Sequence, residues 1–173
     1  MSKVNDLILV DLNDNEIGIG SKLSVHEKGQ LHRAFSLFLF DGNRVLIQKR
    51  ASGKYHCAGL WANTCCSHPG AGQSLEQAVI ERLGEECGIT GVAVHEAGSF
   101  VYRAVFDNGL TEYEYDHVFV GEYNGEVNPN PEEIEELKYV DMEELKKDML
   151  ECPGKYAPWF ITALGIAEKD YAT

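Results

Sequence analysis

The chain has 173 residues, 44% of them hydrophobic, and a formal net charge of -13 at pH 7; that size suits one globular domain over residues 1–173 with a single large core. The charge repels polyanions, which argues against a nucleic-acid partner, and any small anionic ligand would need local cations or a metal. Met1–Val10 lacks a basic stretch followed by an apolar one and a cleavage site, and no apolar run approaches the ~20 residues that cross a bilayer, so a soluble, cytoplasmic chain without membrane contact is expected. Cys57, Cys65, Cys66, Cys87 and Cys152 form an odd set without C-x-x-C spacing. Reduced thiols are expected rather than a disulfide framework or an all-cysteine zinc knuckle.

In chain order, Leu7–Asp11 and Glu16–Ser21 read as short strands broken by Asn13-Asp14-Asn15. Ala34–Phe40 and Val45–Lys49 flank Asp41-Gly42-Asn43 and read as a hairpin. Ser74 with Gln77 three residues on is a capping-box pattern, after which Leu75, Ala78, Val79 and Leu83 recur at helical spacing until Gly88. Ser99–Phe106 and Leu110–Gly121 flank Asp107-Asn108-Gly109 as a second, long hairpin, and Asn124–Pro131 is a loop. Lys138–Val140 suggests a short strand, Asp141 with Glu144 caps a helix to about Leu150, and Tyr156–Lys169 suggests a closing helix with Pro158 in its first turn. Lys22 and His26 fall in a loop by this reading. No repeat, linker or domain boundary is visible.

Four segments carry residues suited to chemistry. His26 and His32 precede a buried strand, and Asn63-Thr-Cys65-Cys66-Ser-His68-Pro69 supplies a third imidazole beside a thiol. Imidazole is the commonest transition-metal ligand. In Thr111-Glu112-Tyr-Glu114-Tyr-Asp116, period-two geometry puts Glu112, Glu114 and Asp116 on one strand face and Tyr113, Tyr115 and His117 on the other. That face is either solvated or a ligand set; three imidazoles plus two carboxylates would suit Zn, Mn or Fe at five or six coordinates. Glu81, Glu85 and Glu86 crowd the C-terminal half of the mid-chain helix, the wrong end of its dipole, so something should offset that cost. Either a divalent cation or solvation could do so, and Arg82 lies four residues from Glu86, within reach of a salt bridge.

These residues bring the chain to a resemblance. Ser67–Ile89 resembles the Nudix box: Leu83, Glu85, Glu86, Gly88 and Ile89 match it, while Ser67 replaces its first glycine, Gln73 its first glutamate and Glu81-Arg82 its Arg-Glu pair. The carboxylates with which hydrolytic members hold magnesium are depleted, so the box speaks for fold more than for hydrolysis. The whole pattern is similar to the metal-dependent isopentenyl-diphosphate isomerases: the two histidines ahead of Arg33-Ala-Phe, the Asn63-Thr-Cys65-Cys66-Ser-His68-Pro69 element, Glu86, Tyr102-Arg-Ala, Glu112-x-Glu114 and Pro158-Trp159, over about residues 22–160.

The resemblance implies an α/β (α+β) Nudix-like fold of mixed β-sheets between helices, and the interconversion of isopentenyl and dimethylallyl diphosphate. It implies that His26, His32, His68, Glu112 and Glu114 bind one divalent transition metal, manganese or zinc. Cys66 and Glu114 would exchange the protons, with Tyr102 paired to Glu114 and Trp159 facing the cationic centre. Glu86 and the Cys66 carbonyl would hold magnesium on the diphosphate, and Lys22, Arg50, Lys54 and Arg82 would contact that diphosphate. An odd-length loop centred on Asn108 would set Tyr102 across from Glu114, whereas a two-residue Asn-Gly loop would set Arg103 there; the odd loop is expected because the family pairs that tyrosine with the glutamate. The partner is then a small isoprenoid diphosphate, and the chain a monomer or weak dimer. A Nudix-type diphosphate hydrolase and a metal-stabilised binding domain without catalysis are the alternatives.

Overall fold

A computed structural model of the chain describes residues 6–54 and 57–172, so the first five residues of the Met1–Val10 stretch lie outside it. Chain order runs β1 (Asp6–Val10), β2 (Glu16–Ser21), α1 (Lys22–Lys28), β3 (His32–Asp41), β4 (Arg44–Arg50), β5 (Trp61–Ala62) and β6 (Cys65–Ser67). It continues with α2 (Leu75–Cys87), β7 (Val94–Val105), β8 (Thr111–Glu122), β9 (Ile134–Asp141), α3 (Met142–Glu151), a 3-10 turn (Pro153–Lys155) and α4 (Phe160–Tyr171). No helix among the described residues is long and apolar enough to cross a membrane.

The hub of the sheet is β3. It reads HRAFSLFLFD and is buried along nearly its whole length, as a strand covered on both faces must be. It pairs antiparallel with β1, β4 and β6 and parallel with β8. Alternation sorts its side chains: Phe35, Leu37 and Leu39 pack with Ala78, Val79 and Leu83 of α2, while Phe38 and Phe40 pack with Leu145 of α3 and Phe160 and Leu164 of α4. Helices therefore cover both faces of a mixed sheet, as the resemblance implies. Burying each of these large side chains contributes roughly 1.5–3 kcal/mol.

Local signals explain the element boundaries. Ser74 and Gln77 form the reciprocal capping box at the start of α2, and Gly88 ends it at φ 68°, where an added Cβ would meet Asn128 at 2.9 Å. The hairpins form where expected, with Asp41 opposite Arg44 and Val105 opposite Thr111.

Four readings need correction. Lys22 and His26 lie on a helix rather than in a loop: α1 is capped by the Ser21 hydroxyl and closed by Gly29 at φ 66°. Pro158 lies outside the closing helix, which begins at Phe160, because Tyr156 bridges to Trp61 and the Ala157 N–H donates to the Trp61 carbonyl. The strand read as Lys138–Val140 extends over Ile134–Asp141 along β4. Asp141 caps α3 by accepting from the backbone N–H of Glu143 and Glu144; no reciprocal bond from the Glu144 side chain forms the box.

Candidate functional site

Parallel pairing of β3 with β8 sets His32 in register with Glu114, and antiparallel pairing with β6 sets Ser36 opposite Cys66. Helix α1 carries His26 to the same end of the sheet, and β6 leads directly into His68. The three imidazole rings stand 4.9–5.8 Å apart. One ligand atom from each of His26, His32, His68 and Glu112 lies within 4.8 Å of the others. His26 Nε2 is 2.8 Å and His32 Nε2 3.0 Å from Glu112 Oε1. Glu114 joins from the side, its Oε2 2.8 Å from His68 Nε2 and 3.5 Å from His32 Nε2. Glu112, Glu114 and Asp116 are 2%, 7% and 1% exposed, which rules out a solvated acidic face.

This donor set fits a divalent cation. His26 Nδ1 donates to the Lys22 carbonyl at 2.6 Å and His32 Nδ1 to the Gln30 carbonyl at 2.9 Å. A carbonyl only accepts, so each Nδ1 carries the hydrogen and each Nε2 is turned towards the carboxylates. An imidazole nitrogen and a carboxylate oxygen at such distances need positive charge between them, either a proton on Nε2 or a bound metal ion. Buried His32 Nε2 makes no well-directed hydrogen bond. Burial alone would lower the His32 pKa, but contacts with Glu112 and Glu114 outweigh it and push it up to about 10. Nitrogen and oxygen donors suit a transition metal.

The thiol and its neighbours line a cleft of about 210 Å³ beside this cluster. Alternation along β6 separates the two adjacent cysteines: Cys65 packs into the core beneath α2, while Cys66 faces the cleft. Burial pushes the Cys66 thiol up to about 12, with Arg50 opposing, so it stays protonated at neutral pH. All five cysteines are unpaired thiols. Across from Glu114 on β7 stands Tyr102, the register of the odd-length loop, and its hydroxyl donates to Glu114 Oε1. Burial, then Glu114, pushes that phenol well above its usual value, so it acts as a donor. Trp159, 3% exposed, lies 6.0 Å from the Tyr102 ring.

Cations gather at the mouth. Lys22, Lys54 and Arg82 line the cleft, and Glu133 sits among them, bonded to Lys54 and 3.7 Å from Arg82. Arg50 lies deeper, its Nη1 3.7 Å from Cys66 Sγ and its guanidinium 5.6 Å from the Trp159 ring centre. Arg82 answers the dipole question at the end of α2: its Nε and Nη2 donate to Glu86 Oε2 at 3.1 and 2.6 Å. The other Glu86 oxygen accepts from Gln48 at 3.3 Å and is the one available to a further cation. Glu81 is exposed and accepts from Gln73.

The structure thus brings every residue to which the resemblance gives a role to one cleft and its adjoining cluster, while Glu81 stays outside it. Sequence reasoning assigned no role to Glu133, Gln48 or Asn63. Gln48 carried a signal, a polar residue directly after the apolar run Val45–Ile47; Glu133, one acid among several in the Glu132–Glu136 stretch, carried none.

Comparison with known proteins agrees with this geometry. Residues 30–160 match the NUDIX domain family model. The chain is 47% identical over 166 residues to isopentenyl-diphosphate Delta-isomerase 2 of Photorhabdus laumondii, covering 95% of this chain and 93% of that one. It is 50% identical over 156 residues to isopentenyl-diphosphate Delta-isomerase 1 of Aromatoleum aromaticum, covering 90% and 88%. The fold resembles DR0079 from Deinococcus radiodurans, with a TM-score of 0.75 at 17% identity over 96% of this chain and 99% of that one. It also resembles a MutT protein from Methanosarcina mazei, with a TM-score of 0.57 at 20% identity over 68% and 81%. At these identities the chain belongs to the isopentenyl-diphosphate Delta-isomerase family, built on the NUDIX fold.

Proposed function

We propose that the chain interconverts isopentenyl and dimethylallyl diphosphate, with Cys66 and Glu114 as the two proton-exchanging groups. The observation that carries this reading is their placement in one cleft, a protonated thiol and a carboxylate oriented by Tyr102, with an indole nearby. In the forward direction the Cys66 S–H delivers its proton to the terminal methylene carbon. The alkene electrons form the new C–H bond, leaving a tertiary cation at the neighbouring carbon. The Trp159 face stabilises that cation by about 2 kcal/mol or more once water is excluded. Glu114 then removes a proton from the carbon on the diphosphate side, and those electrons become the internal double bond. Thiolate and carboxylic acid remain, and exchange with water restores both.

Lys22, Lys54 and Arg82 hold the diphosphate at the mouth, with Arg50 reaching it from inside. When bound, a transition metal such as manganese or zinc on His26, His32, His68, Glu112 and Glu114 would keep the carboxylates charged and fixed, while magnesium on Glu86 and the Cys66 carbonyl would neutralise diphosphate charge. Glu86 offers one oxygen, which fits magnesium's habit of taking most ligands from substrate phosphate and water. The same reading places the chain in the cytoplasm as a monomer or weak dimer, acting on a small molecule rather than on nucleic acid or membrane.

The test is incubation with isopentenyl diphosphate in heavy water. Deuterated dimethylallyl diphosphate is expected, and no turnover from Cys66→Ala or Glu114→Gln. Full turnover by either variant overturns the assignment of residues; release of inorganic phosphate or of a monophosphate without isomerisation overturns the activity.

A further inference from the structure

Trp159 is an indole on the wall of the cleft, and its N–H can only donate. It finds its acceptor 96 positions away: Trp159 Nε1 donates to Asn63 Oδ1 at 3.0 Å. Asn63 is fully buried and has no freedom in this role. Its Nδ2 donates to the Cys65 carbonyl at 2.7 Å and to the Leu37 carbonyl at 3.2 Å. With both amide hydrogens committed to carbonyls, the amide orientation is determined and Oδ1 must face the indole. One side chain therefore ties together the hub strand β3, the strand that carries the Cys66 thiol and the ring at the start of α4.

We propose that Asn63 is a positioning residue for the isomerisation, acting through Trp159 by holding the indole face at a fixed place relative to Cys66 and by polarising the ring through its N–H. This inference rests on the proton-exchange reading given above. A hydrogen bond accepted from the indole N–H shifts electron density into the ring and deepens the negative quadrupole of its face. That face already attracts positive charge, with the Arg50 guanidinium 5.6 Å from the ring centre. A cation forming after proton delivery from Cys66 needs the ring in register with the thiol, and the Asn63 bond to the Cys65 carbonyl supplies that register. Because the interaction strengthens as charge develops, it acts on the transition state more than on bound substrate.

The experiment compares binding of two diphosphates, one with a saturated five-carbon tail and one with a dimethylammonium group replacing the tertiary carbon, alongside kcat and KM. Asn63→Leu is expected to lose about tenfold in kcat and about tenfold in affinity for the ammonium probe. Its KM and its affinity for the saturated probe should stay within about twofold. Trp159→Phe keeps an aromatic ring without an N–H and should lose the same discrimination, and adding Asn63→Leu to it should change neither quantity further. Should Asn63→Leu melt below assay temperature, Asn63→Asp, whose buried carboxyl in its protonated form keeps both the acceptor for the indole and one donor for the Cys65 carbonyl, is expected to retain the preference for the ammonium probe, and loss of that preference overturns the proposal. Equal weakening of both probes, or a full Asn63→Leu effect in the Trp159→Phe background, overturns the proposal. Absence of isomerisation by the unaltered protein would instead overturn the reading on which it rests.

Discussion

Tyr102→Phe removes one oxygen from the site and leaves the frame intact. The phenyl ring keeps its neighbours, Phe100 at 5.7 Å and Trp159 at 6.0 Å between centroids, and the β7–β8 register does not depend on the hydroxyl. What disappears is the donor to Glu114 Oε1, while Oε2 keeps His68 at 2.8 Å. A hydrogen bond to a charged group contributes roughly 1.5–3 kcal/mol, which converts to a loss of about 10- to 150-fold in kcat. The diphosphate cations at the mouth are untouched, so KM should stay within about twofold. Initial rates with isopentenyl diphosphate, paired with deuterium incorporation from heavy water, read both numbers. A kcat within twofold of the unaltered protein, or a loss carried wholly by KM, would refute the claim that Tyr102 orients the base.

Three other outcomes are expected. Chelation should lower the melting temperature by roughly 5–10 °C, since a ligand at a hundred times its Kd adds about 2.7 kcal/mol and a chain of this size shifts about 2–4 °C per kcal/mol; an unchanged melt would count against a resident cation in the histidine cluster. Ser74→Ala deletes the side-chain half of the α2 capping box and should cost about 1 kcal/mol of stability with kcat unchanged, so a large activity loss in a folded variant would mean that α2 positions Glu86 more delicately than its packing suggests. Iodoacetamide at pH 7.5 should modify exposed Cys152 first, because burial pushes Cys57 up to about 11 and Cys66 up to about 12 and the thiolate is the reactive form; mass spectrometry showing Cys66 modified first would contradict the protonated-thiol picture.

Legibility in the sequence followed the range of the interactions. The start and end of α2 were written locally, in Ser74, Gln77 and Gly88, whereas loop parity around Asn108 left Tyr102 and Arg103 both open opposite Glu114, and only the family resemblance chose the tyrosine that the register bears out. Helix α1 was not readable because its seven residues bury only Val25 and His26 and no acid sits in its first turn; its packing comes from β8, through the His26 contact to Glu112. The tail before α4 was misread because Tyr156 and Ala157 are held by Trp61, a pairing across almost a hundred residues. Glu133 drew no reading from the sequence, and only the fold sets it against Lys54 and Arg82. Motif order identified the chemistry, but which carboxylates turn inward depended on the sheet.

The parallel partnership of β3 with β8 has a consequence for biogenesis. His26 meets Glu112 across 86 residues, and a parallel pair cannot close through a tight turn. During synthesis the early histidines leave the ribosome long before their carboxylate partners exist. A divalent ion captured at that stage would have only imidazoles to hold it, so the full set of nitrogen and oxygen donors comes together only once β8 has docked.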